Sequence, residues 1–135
     1  MCEVNGVHNR SAVIVIEQRN VALIKRVKNG CCYYTFPGGK VEEHETVEEA
    51  AIREAYEELG LVVTLGRCFL QVPYNGMQYY YFAKRQRGIF GSGTGAEFIA
   101  MSPHDTYEAV WMPLQALLQH DIIPIEVAQK LFEEA

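Results

Sequence analysis

The sequence predicts an α/β fold in which helices pack against a mixed β-sheet. Apolar, β-branched runs of strand length occur before and after one well-bounded helical segment, and turn residues join several of them into hairpins. This order differs from a regular alternation of strands and helices, which would predict a parallel sheet. The chain has 135 residues, of which 49% are apolar, so we expect a single domain, residues 1–135, with a hydrophobic core.

The first half of the chain predicts a hairpin followed by a short strand. Ser11–Glu17 and Val21–Val27 are rich in β-branched residues and are separated by three polar residues. Tyr33–Phe36 is predicted as an aromatic strand that ends at a Pro-Gly-Gly turn signal. A helix is then predicted from about Val47 to Leu59.

The second half predicts two more strands, a glycine-rich loop, a last strand and two closing helices. A Pro-Tyr-Asn-Gly turn separates the two strands. The predicted bounds are Leu61–Val72 and Met77–Arg85 for the two strands, Gly88–Gly95 for the loop, Tyr107–Met112 for the last strand, and Pro113–Leu118 and Pro124–Glu134 for the helices.

Composition and charge exclude several classes of protein. The net charge is −5 without a block of basic residues, which argues against dedicated nucleic-acid binding. No signal peptide or apolar run of about 18 residues is present, so we expect a cytoplasmic protein with no membrane partner. The four cysteines form no Cys-X-X-Cys pair and are predicted to be reduced. Assembly as a homodimer stays open.

The predicted helix is bounded by clear signals at both ends. Thr46 and Glu49 have the spacing of a capping box, and Gly60 supplies the C-terminal stop. At 3.6 residues per turn, one side of the helix is predicted to pack on the sheet through Ala51, Ile52, Ala55 and Leu59.

An acidic patch lies on the same helix. Glu54, Glu57 and Glu58 stand at i, i+3 and i+4, and Arg53 is within one turn of both Glu49 and Glu57. Neighbouring carboxylates repel one another, whereas a bound divalent cation would attract them, and carboxylate oxygens suit hard ions. An isolated cluster of this kind could equally be a solvated acidic face.

The complete pattern resembles the Nudix box. From Gly39 to Leu61 it reads glycine, five residues, Glu45, seven residues, and then REAYEELGL. A looser resemblance in strand order extends from about Ser11 to Leu117. The resemblance implies a Nudix-type α/β/α sandwich with a mixed β-sheet and a loop-helix-loop catalytic motif. It also implies metal-dependent hydrolysis of a nucleoside diphosphate linked to another moiety.

The resemblance also implies roles for individual residues. Glu45 would be a supporting acid near the metal or near Arg53, Arg53 would orient the glutamates, and Gly39 would shape the loop. His44 departs from the glycine that many members carry, which puts the loop geometry in question rather than the catalysis. The implied ligands of Mg²⁺ or Mn²⁺ are Glu54, Glu57, Glu58 and the backbone carbonyl of Gly38.

The sequence does not decide whether the general base that activates the attacking water belongs to the box or to a later loop. The candidates outside the box are Glu97, Asp105 and Glu108, and a box glutamate such as Glu54 is the alternative. We prefer Glu97 because it follows the glycines of the Gly91–Gly95 segment, which could fold over a substrate. That segment could also be only a flexible hairpin tip.

Substrate contacts are expected from cations and aromatic residues outside the helix. Arg26 closes the second strand, near the place where members of the Nudix family often present a phosphate-binding cation, and Lys40 follows the glycine pair. The resemblance thus implies that either could bind phosphate, although each could also be a solvated surface charge. Several tyrosines could stack on a base, and Tyr34 and Tyr79 are our candidates, although aromatic strand residues more often pack in a core. Trp111 is interpreted as a core anchor of the last strand.

Rival functions remain within and outside this chemistry. We favour a nucleoside triphosphate or related small nucleotide as the substrate, and ADP-ribose, a nucleotide sugar or a dinucleoside polyphosphate is the alternative. A non-catalytic nucleotide-binding regulator should have lost box acids, yet Glu54, Glu57 and Glu58 are all present. A structural protein with an acidic helix, unrelated to the Nudix family, is the third rival. It would not require the complete spacing of residues from Gly39 to Leu61 that this chain has.

Overall fold

The computed structural model describes residues 8–95 and 105–135, which form an eight-stranded mixed sheet with helices on both faces. The elements are β1 (Arg10–Glu17), β2 (Asn20–Lys28), β3 (Cys31–Thr35), β4 (Gly38–Lys40), α1 (Val47–Leu59), β5 (Leu61–Pro73), β6 (Met77–Gly88), β7 (Asp105–Pro113), a 3₁₀ helix (Leu114–Gln119), β8 (Ile122–Ile123) and α2 (Ile125–Glu134).

The sheet is mixed because β1 has parallel and antiparallel neighbours. It pairs in parallel with β6, and antiparallel with β4 at its start and with β2 at its end. Strand β2 also lies antiparallel between β3 and β7. The predicted α/β class and mixed sheet are therefore confirmed.

The core has two layers, one on each face of the sheet. Strand β1 supplies both, since Val13 and Val15 face α1 whereas Ile14 faces the opposite layer. The α1 layer includes Ala51, Ala55 and Leu59 of the helix, and each of these is 0% exposed. The second layer is completed by Leu117 of the 3₁₀ helix and by Val127, Ala128 and Leu131 of α2.

Helix α1 has the predicted bounds and the predicted caps. The backbone amide of Glu49 donates to Thr46 Oγ1 at 3.0 Å, and the amide of Thr46 donates to Glu49 Oε1 at 2.8 Å. Gly60 ends the helix in the left-handed conformation, with φ of 77°.

The prediction that Ile52 belongs to the packing stripe is wrong. Ile52 is 39% exposed, whereas Ala50 on the other side of the stripe is 0% exposed. The helix is rotated so that the row of Ala50, Glu54 and Glu58 lies inward together with the alanine stripe. Ile52 consequently turns towards solvent.

Two short strands were not predicted. The Gly38–Lys40 segment, which follows the turn proline, pairs with β1 as β4, and Ile122–Ile123 pairs in parallel with β3 as β8. A Cβ on Gly38 would lie 2.6 Å from the Cβ of Ala12, so glycine permits this close approach of two backbones. Three residues without a side-chain pattern carry no strand signal in the sequence.

The remaining bounds differ by a few residues from the prediction. The segment predicted as a helix at Pro113–Leu118 is the 3₁₀ helix at Leu114–Gln119. In the described ranges, no helix has the length and apolar character required to cross a membrane. Cys31, Cys32 and Cys68 are free thiols in the structure.

Gly60→Ala is expected to destabilise the protein more than Gly30→Ala. Both residues have positive φ, 77° and 81°, so each alanine incurs a left-handed strain of about 1 kcal/mol. A Cβ on Gly60 would additionally lie 2.8 Å from the carbonyl oxygen of Ile89, whereas a Cβ on Gly30 meets no atom within 4 Å. The expected loss for Gly60→Ala is therefore about 3 kcal/mol, measured by urea unfolding. Equal losses in the two variants would contradict the close contact.

Candidate active site

The glycine pair of β4 lies directly against the acidic side of α1. The amide of Gly38 donates to Glu58 Oε1 at 3.3 Å. A Cβ on Gly39 would lie 2.6 Å from Cδ of Glu54, so any side chain at this position would displace that carboxylate. The Pro-Gly-Gly turn thus forms a backbone cradle for two of the three predicted metal ligands.

Arg53 links four oxygen-bearing groups around this cradle. Its Nε and Nη2 donate to the two oxygens of Glu45 at 3.1 and 2.6 Å, and Nη2 also donates to the carbonyl of Lys40 at 3.0 Å. Its Nη1 donates to Glu54 at 2.9 Å and to Glu57 at 3.2 Å. The sequence left open whether Glu45 lies near the metal or near Arg53, and the structure pairs it with Arg53. The sequence also allowed Arg53 to pair with either Glu49 or Glu57, and the structure pairs it with Glu57.

The Arg53–Glu45 pair shifts the pKa of both partners. Hydrogen bonding to Glu45 raises the pKa of Arg53 further above its ordinary value, and the same bond lowers the pKa of Glu45 below 4.5. Both groups therefore stay charged at neutral pH. Glu45 holds two sides of the guanidinium, which leaves Nη1 to face the metal-ligand candidates.

The three glutamates differ in their access to solvent. Glu54 and Glu58 are 7% and 6% exposed, whereas the side chain of Glu57 is 40% exposed. In residues 8–95 and 105–135, no three His, Cys, Asp or Glu side chains are already arranged around one point as metal ligands. Arg53 bridges Glu54 and Glu57 instead.

The donor set nevertheless fits a hard divalent cation. Carboxylate and backbone carbonyl oxygens are the groups that Mg²⁺ and Mn²⁺ prefer. The absence of side chains at Gly38 and Gly39 brings the backbone of β4 close to the carboxylate groups of Glu54 and Glu58. Two carboxylates held in a nearly buried position gain from a cation nearby, since desolvation otherwise disfavours their charge.

Arg26 lies between two tyrosine rings on the face of the sheet that carries α1. The strand register places Tyr33 of β3 and Tyr107 of β7 directly opposite Arg26. Its Cζ is 4.2 Å from the ring centroid of Tyr107 and 5.4 Å from that of Tyr33. Within the described part of the chain, its buried Nε has no hydrogen-bond partner. Sequence reasoning did not select Tyr33 or Tyr107, although the alternation of β2 and β3 could have placed Tyr33 beside Arg26.

The structure does not bring Tyr34 together with Arg26. Tyr34 faces the layer of α2, where its ring meets His120 in an edge-on contact at 5.4 Å. Burial, followed by the neighbouring Cys32, raises the pKa of Tyr34 above its ordinary value. Successive residues of a strand point to opposite faces, so Tyr33 rather than Tyr34 shares a face with Arg26. The assignment of Tyr34 to substrate stays a prediction.

Tyr79 and the glycine pair line a cavity of about 110 Å³. A larger cavity of about 510 Å³ adjoins it and is lined by Val72, Tyr74 and Ile125, among others. The two cavities share Gln78, Ile123 and Pro124 as lining residues. Lys40 is exposed at the end of β4.

The acids outside the box are unequally placed. Glu97 lies outside the described residues, and Asp105 begins β7. Glu108 is exposed on the face of β7 opposite to α1, because its neighbours Tyr107 and Ala109 face that helix. The structure therefore places Glu108 on the wrong side of the sheet for a base at the box.

The glycine-rich loop after β6 is attached to the end of α1. The amide of Gly91 donates to the carbonyl of Leu59, and the amide of Gly95 donates to the carbonyl of Glu57, each at 2.9 Å. Phe90 of this loop stacks on Trp111 with ring centroids 4.4 Å apart. Trp111 is accordingly partly buried at the edge of the α1 layer rather than central in the core. The described part of the loop is not a free hairpin tip.

Glu45→Gln is expected to lower the melting temperature at neutral pH, and this loss should shrink in acid. The folded-state pKa of Glu45 lies below its ordinary 4.5. The ionised group therefore stabilises the fold at pH above 4.5, and the stabilisation disappears as the pH falls through the lowered pKa. Thermal unfolding of both proteins from about pH 7 to pH 3 tests this, with exposed Glu43→Gln as the control. A difference that stays constant over the whole range would contradict the charged pair.

Comparison with known proteins places this geometry in a family. The NUDIX domain family matches residues 7–131 of the chain. A Proteus vulgaris protein named 8-oxo-dGTP diphosphatase is 36% identical over 66 residues, which cover 47% of this chain and 59% of that protein. The ADP-ribose pyrophosphatase of Methanocaldococcus jannaschii is 52% identical over 52 residues, which cover 36% of this chain and 30% of that protein. The matched segments thus span less than two thirds of either relative.

Solved structures share the whole architecture. A MutT structure from work on Aliivibrio salmonicida and Vibrio cholerae has a TM-score of 0.69 at 21% identity, covering 95% of this chain and 98% of that chain. A NUDIX hydrolase from Nitrosomonas europaea has a TM-score of 0.72 at 20% identity, covering 96% of this chain and 70% of that chain. At these identities the likeness establishes the fold, which is the α/β/α sandwich that the box implied. Since the family match spans nearly the entire chain and includes the box, the chain belongs to the Nudix family.

Proposed function

We propose that this chain hydrolyses a pyrophosphate bond in a nucleoside diphosphate linked to another moiety, most simply a nucleoside triphosphate or a related small nucleotide. The observation that carries the proposal is the cradle of Gly38 and Gly39 against Glu54 and Glu58. Relatives named 8-oxo-dGTP diphosphatase and ADP-ribose pyrophosphatase perform this class of reaction on nucleotides. An intact set of box glutamates argues against a non-catalytic regulator.

The box residues would hold the divalent cation that Nudix hydrolases generally use. We assign Glu54, Glu57, Glu58 and the carbonyl of Gly38 as its ligands, and Mg²⁺ or Mn²⁺ as the ion. When bound, the cation neutralises phosphate charge and lowers the pKa of a coordinated water. Arg53 orients Glu54 and Glu57 through its Nη1, and its own position is fixed by Glu45.

Other residues would bind the remaining parts of the nucleotide. Arg26 is held between two rings, and its Nε has no hydrogen-bond partner among the described residues, so its guanidinium is suited to a phosphate oxygen. Lys40 follows the cradle at the end of β4 and provides a second, exposed cation. The cavity beside Tyr79 opens from the glycine pair, which suits a nucleoside whose phosphates point to the box. A nucleoside bound in this cavity would exclude water from one side of the pyrophosphate bond that is hydrolysed.

A carboxylate must accept the proton of the attacking water. We assign this role to Glu97, with Glu54 as the alternative within the box. The support is indirect: Gly95, two positions before Glu97 in the sequence, donates a hydrogen bond to the carbonyl of Glu57. Unlike Glu108, Glu97 follows closely in the sequence after the loop whose Gly91 and Gly95 donate hydrogen bonds to the end of the box helix.

ADP-ribose is the second candidate substrate. The relative named ADP-ribose pyrophosphatase has the higher identity, 52% against 36%, although over a shorter segment. The 510 Å³ cavity beside Ile123 and Pro124 offers room beyond a single base. We place the activity in the cytoplasm, a compartment that keeps exposed thiols such as Cys31 and Cys32 reduced.

Hydrolysis of a nucleotide panel should require Mg²⁺ or Mn²⁺ and should stop in excess chelator. The panel comprises deoxynucleoside and oxidised deoxynucleoside triphosphates, ADP-ribose, a nucleotide sugar and a dinucleoside polyphosphate, with phosphate or pyrophosphate release as the measurement.

Glu57→Gln should abolish turnover with an unchanged or higher melting temperature, because it removes one charge from a crowded acidic patch.

Glu43→Gln is the matched control for that variant. It removes one carboxylate from the same motif, but Glu43 is exposed and lies in the loop before the helix. It should retain wild-type turnover. Full activity in chelator, or turnover of Glu57→Gln within about threefold of wild type, would overturn the metal assignment.

Glu97→Gln should lower kcat by about 100-fold, with little change in KM, if Glu97 is the base. Glu108→Gln should be nearly neutral, because Glu108 lies on the opposite face of the sheet. Steady-state kinetics of both variants at saturating Mg²⁺ make the comparison. Wild-type kcat in Glu97→Gln would reject Glu97 and return the role to Glu54, and a crippled Glu108→Gln would contradict the strand orientation.

A further inference from the structure

The end of the box helix is capped by a distant segment of the chain. The last carbonyls of a helix have no partner within the helix itself. In α1, the carbonyls of Glu57 and Leu59 accept hydrogen bonds from the amides of Gly95 and Gly91, each at 2.9 Å. Both donors belong to the segment at residues 89–95, which we call the capping loop. The last turn of α1 is thus completed by backbone that follows β6.

Gly93 allows this loop to lie on the helix end. A Cβ on Gly93 would be 2.5 Å from the carbonyl oxygen of Glu57, and 2.7 Å from both the carbonyl carbon and the carbonyl oxygen of Glu58. All three atoms are backbone, so no side-chain rotation could relieve the collision. Any larger residue would push either the loop or the last helical turn out of place.

The capping loop is fixed to the sheet on its other side. The ring of Phe90 stacks on Trp111 with centroids 4.4 Å apart and planes 24° apart. Trp111 belongs to β7, which pairs with β2, the strand that carries Arg26. The loop therefore connects the end of α1 to the sheet that presents the phosphate-binding candidate. A shift of the loop would move the helix end relative to that sheet.

We propose that Gly93 and the capping loop are positioning elements of the metal site, because they fix the helical turn that carries Glu57 and Glu58. This inference rests on the proposed function only in taking those glutamates as metal ligands. Three adjacent carboxylates repel one another and helix ends fray, so an uncapped last turn would spread the ligands apart. The loop holds the backbone of that turn in place before the cation arrives.

The test compares the metal affinity of Gly93→Ala with that of wild type, by calorimetric titration of Mn²⁺ and Mg²⁺ without nucleotide. Loss of a group that positions metal ligands typically weakens binding by about tenfold or more, which is the result expected here. Gly76→Ala is the matched control. Its Cβ would lie 2.5 Å from the carbonyl oxygen of His8, a similar backbone collision in the turn between β5 and β6. This control should lose stability but keep its metal affinity within about twofold.

A second measurement does not depend on the folding of any variant. If the loop strengthens metal binding, the metal must stabilise the loop in equal measure. Hydrogen exchange of the Gly91 and Gly95 amides in wild type should slow by about tenfold at saturating Mg²⁺. The amide of His8, which donates to the carbonyl of Asn75, serves as the remote reference and should not change.

The outcomes separate this inference from the proposed function. Wild-type metal affinity in Gly93→Ala, or exchange rates of Gly91 and Gly95 that do not respond to metal, would overturn the inference while nucleotide hydrolysis could still hold. Metal binding that depends on Gly93, in a protein that hydrolyses no nucleotide, would support the inference and overturn the proposed function. A wild-type protein that binds neither Mg²⁺ nor Mn²⁺ would overturn both.

Discussion

The contact between the acidic side of α1 and the backbone of β4 is the constraint on which the site depends. Glu54 and Glu58 can lie inward only because Gly38 and Gly39 carry no side chains, and only because Ala51 and Ala55 let the helix approach the sheet closely. The same rotation turns Ile52 outward. An apolar residue is thereby left partly in solvent so that two carboxylates can be placed against the backbone of the glycine pair, which is the reverse of what hydrophobic patterning favours. Such a reversal is typical of a functional position.

Arg53 offsets the electrostatic repulsion between the carboxylates of Glu54 and Glu57. Arg53 contacts Glu54 and Glu57 through a single nitrogen, while its other donors are occupied by Glu45 and the carbonyl of Lys40. Glu45 therefore acts as an anchor for the guanidinium rather than as a further member of the ligand set. A cation held this firmly can compensate the carboxylates without adding flexible side-chain motion at the centre of the site.

The sequence predicted the features that depend on local chemistry and missed those that depend on register. The capping box at Thr46, the stop at Gly60 and the grouping of Glu54, Glu57 and Glu58 follow from helical periodicity and hydrogen-bonding capacity. Strand β4, the face of the sheet on which Tyr34 lies, and the side of β7 on which Glu108 lies all depend on which strands pair and how the pleat alternates. A shift of one position reverses every such assignment, and no local signal fixes that position.

The pairing of β2 shows how the fold sorts residues into separate tasks. Along this strand, Ala22, Ile24 and Arg26 face α1, and their partners on β7 are Trp111, Ala109 and Tyr107. On this one face of β2, Ala22 and Ile24 pack in the core, whereas the next residue, Arg26, is a cation held between aromatic rings. The opposite face carries Lys25 and Tyr34, away from the box. Because the box fixes only α1 and β4, residues of the cavity beside Ile123 can vary without disturbing the carboxylates. That separation gives a physical reason why the relatives of this chain are named for different nucleotides.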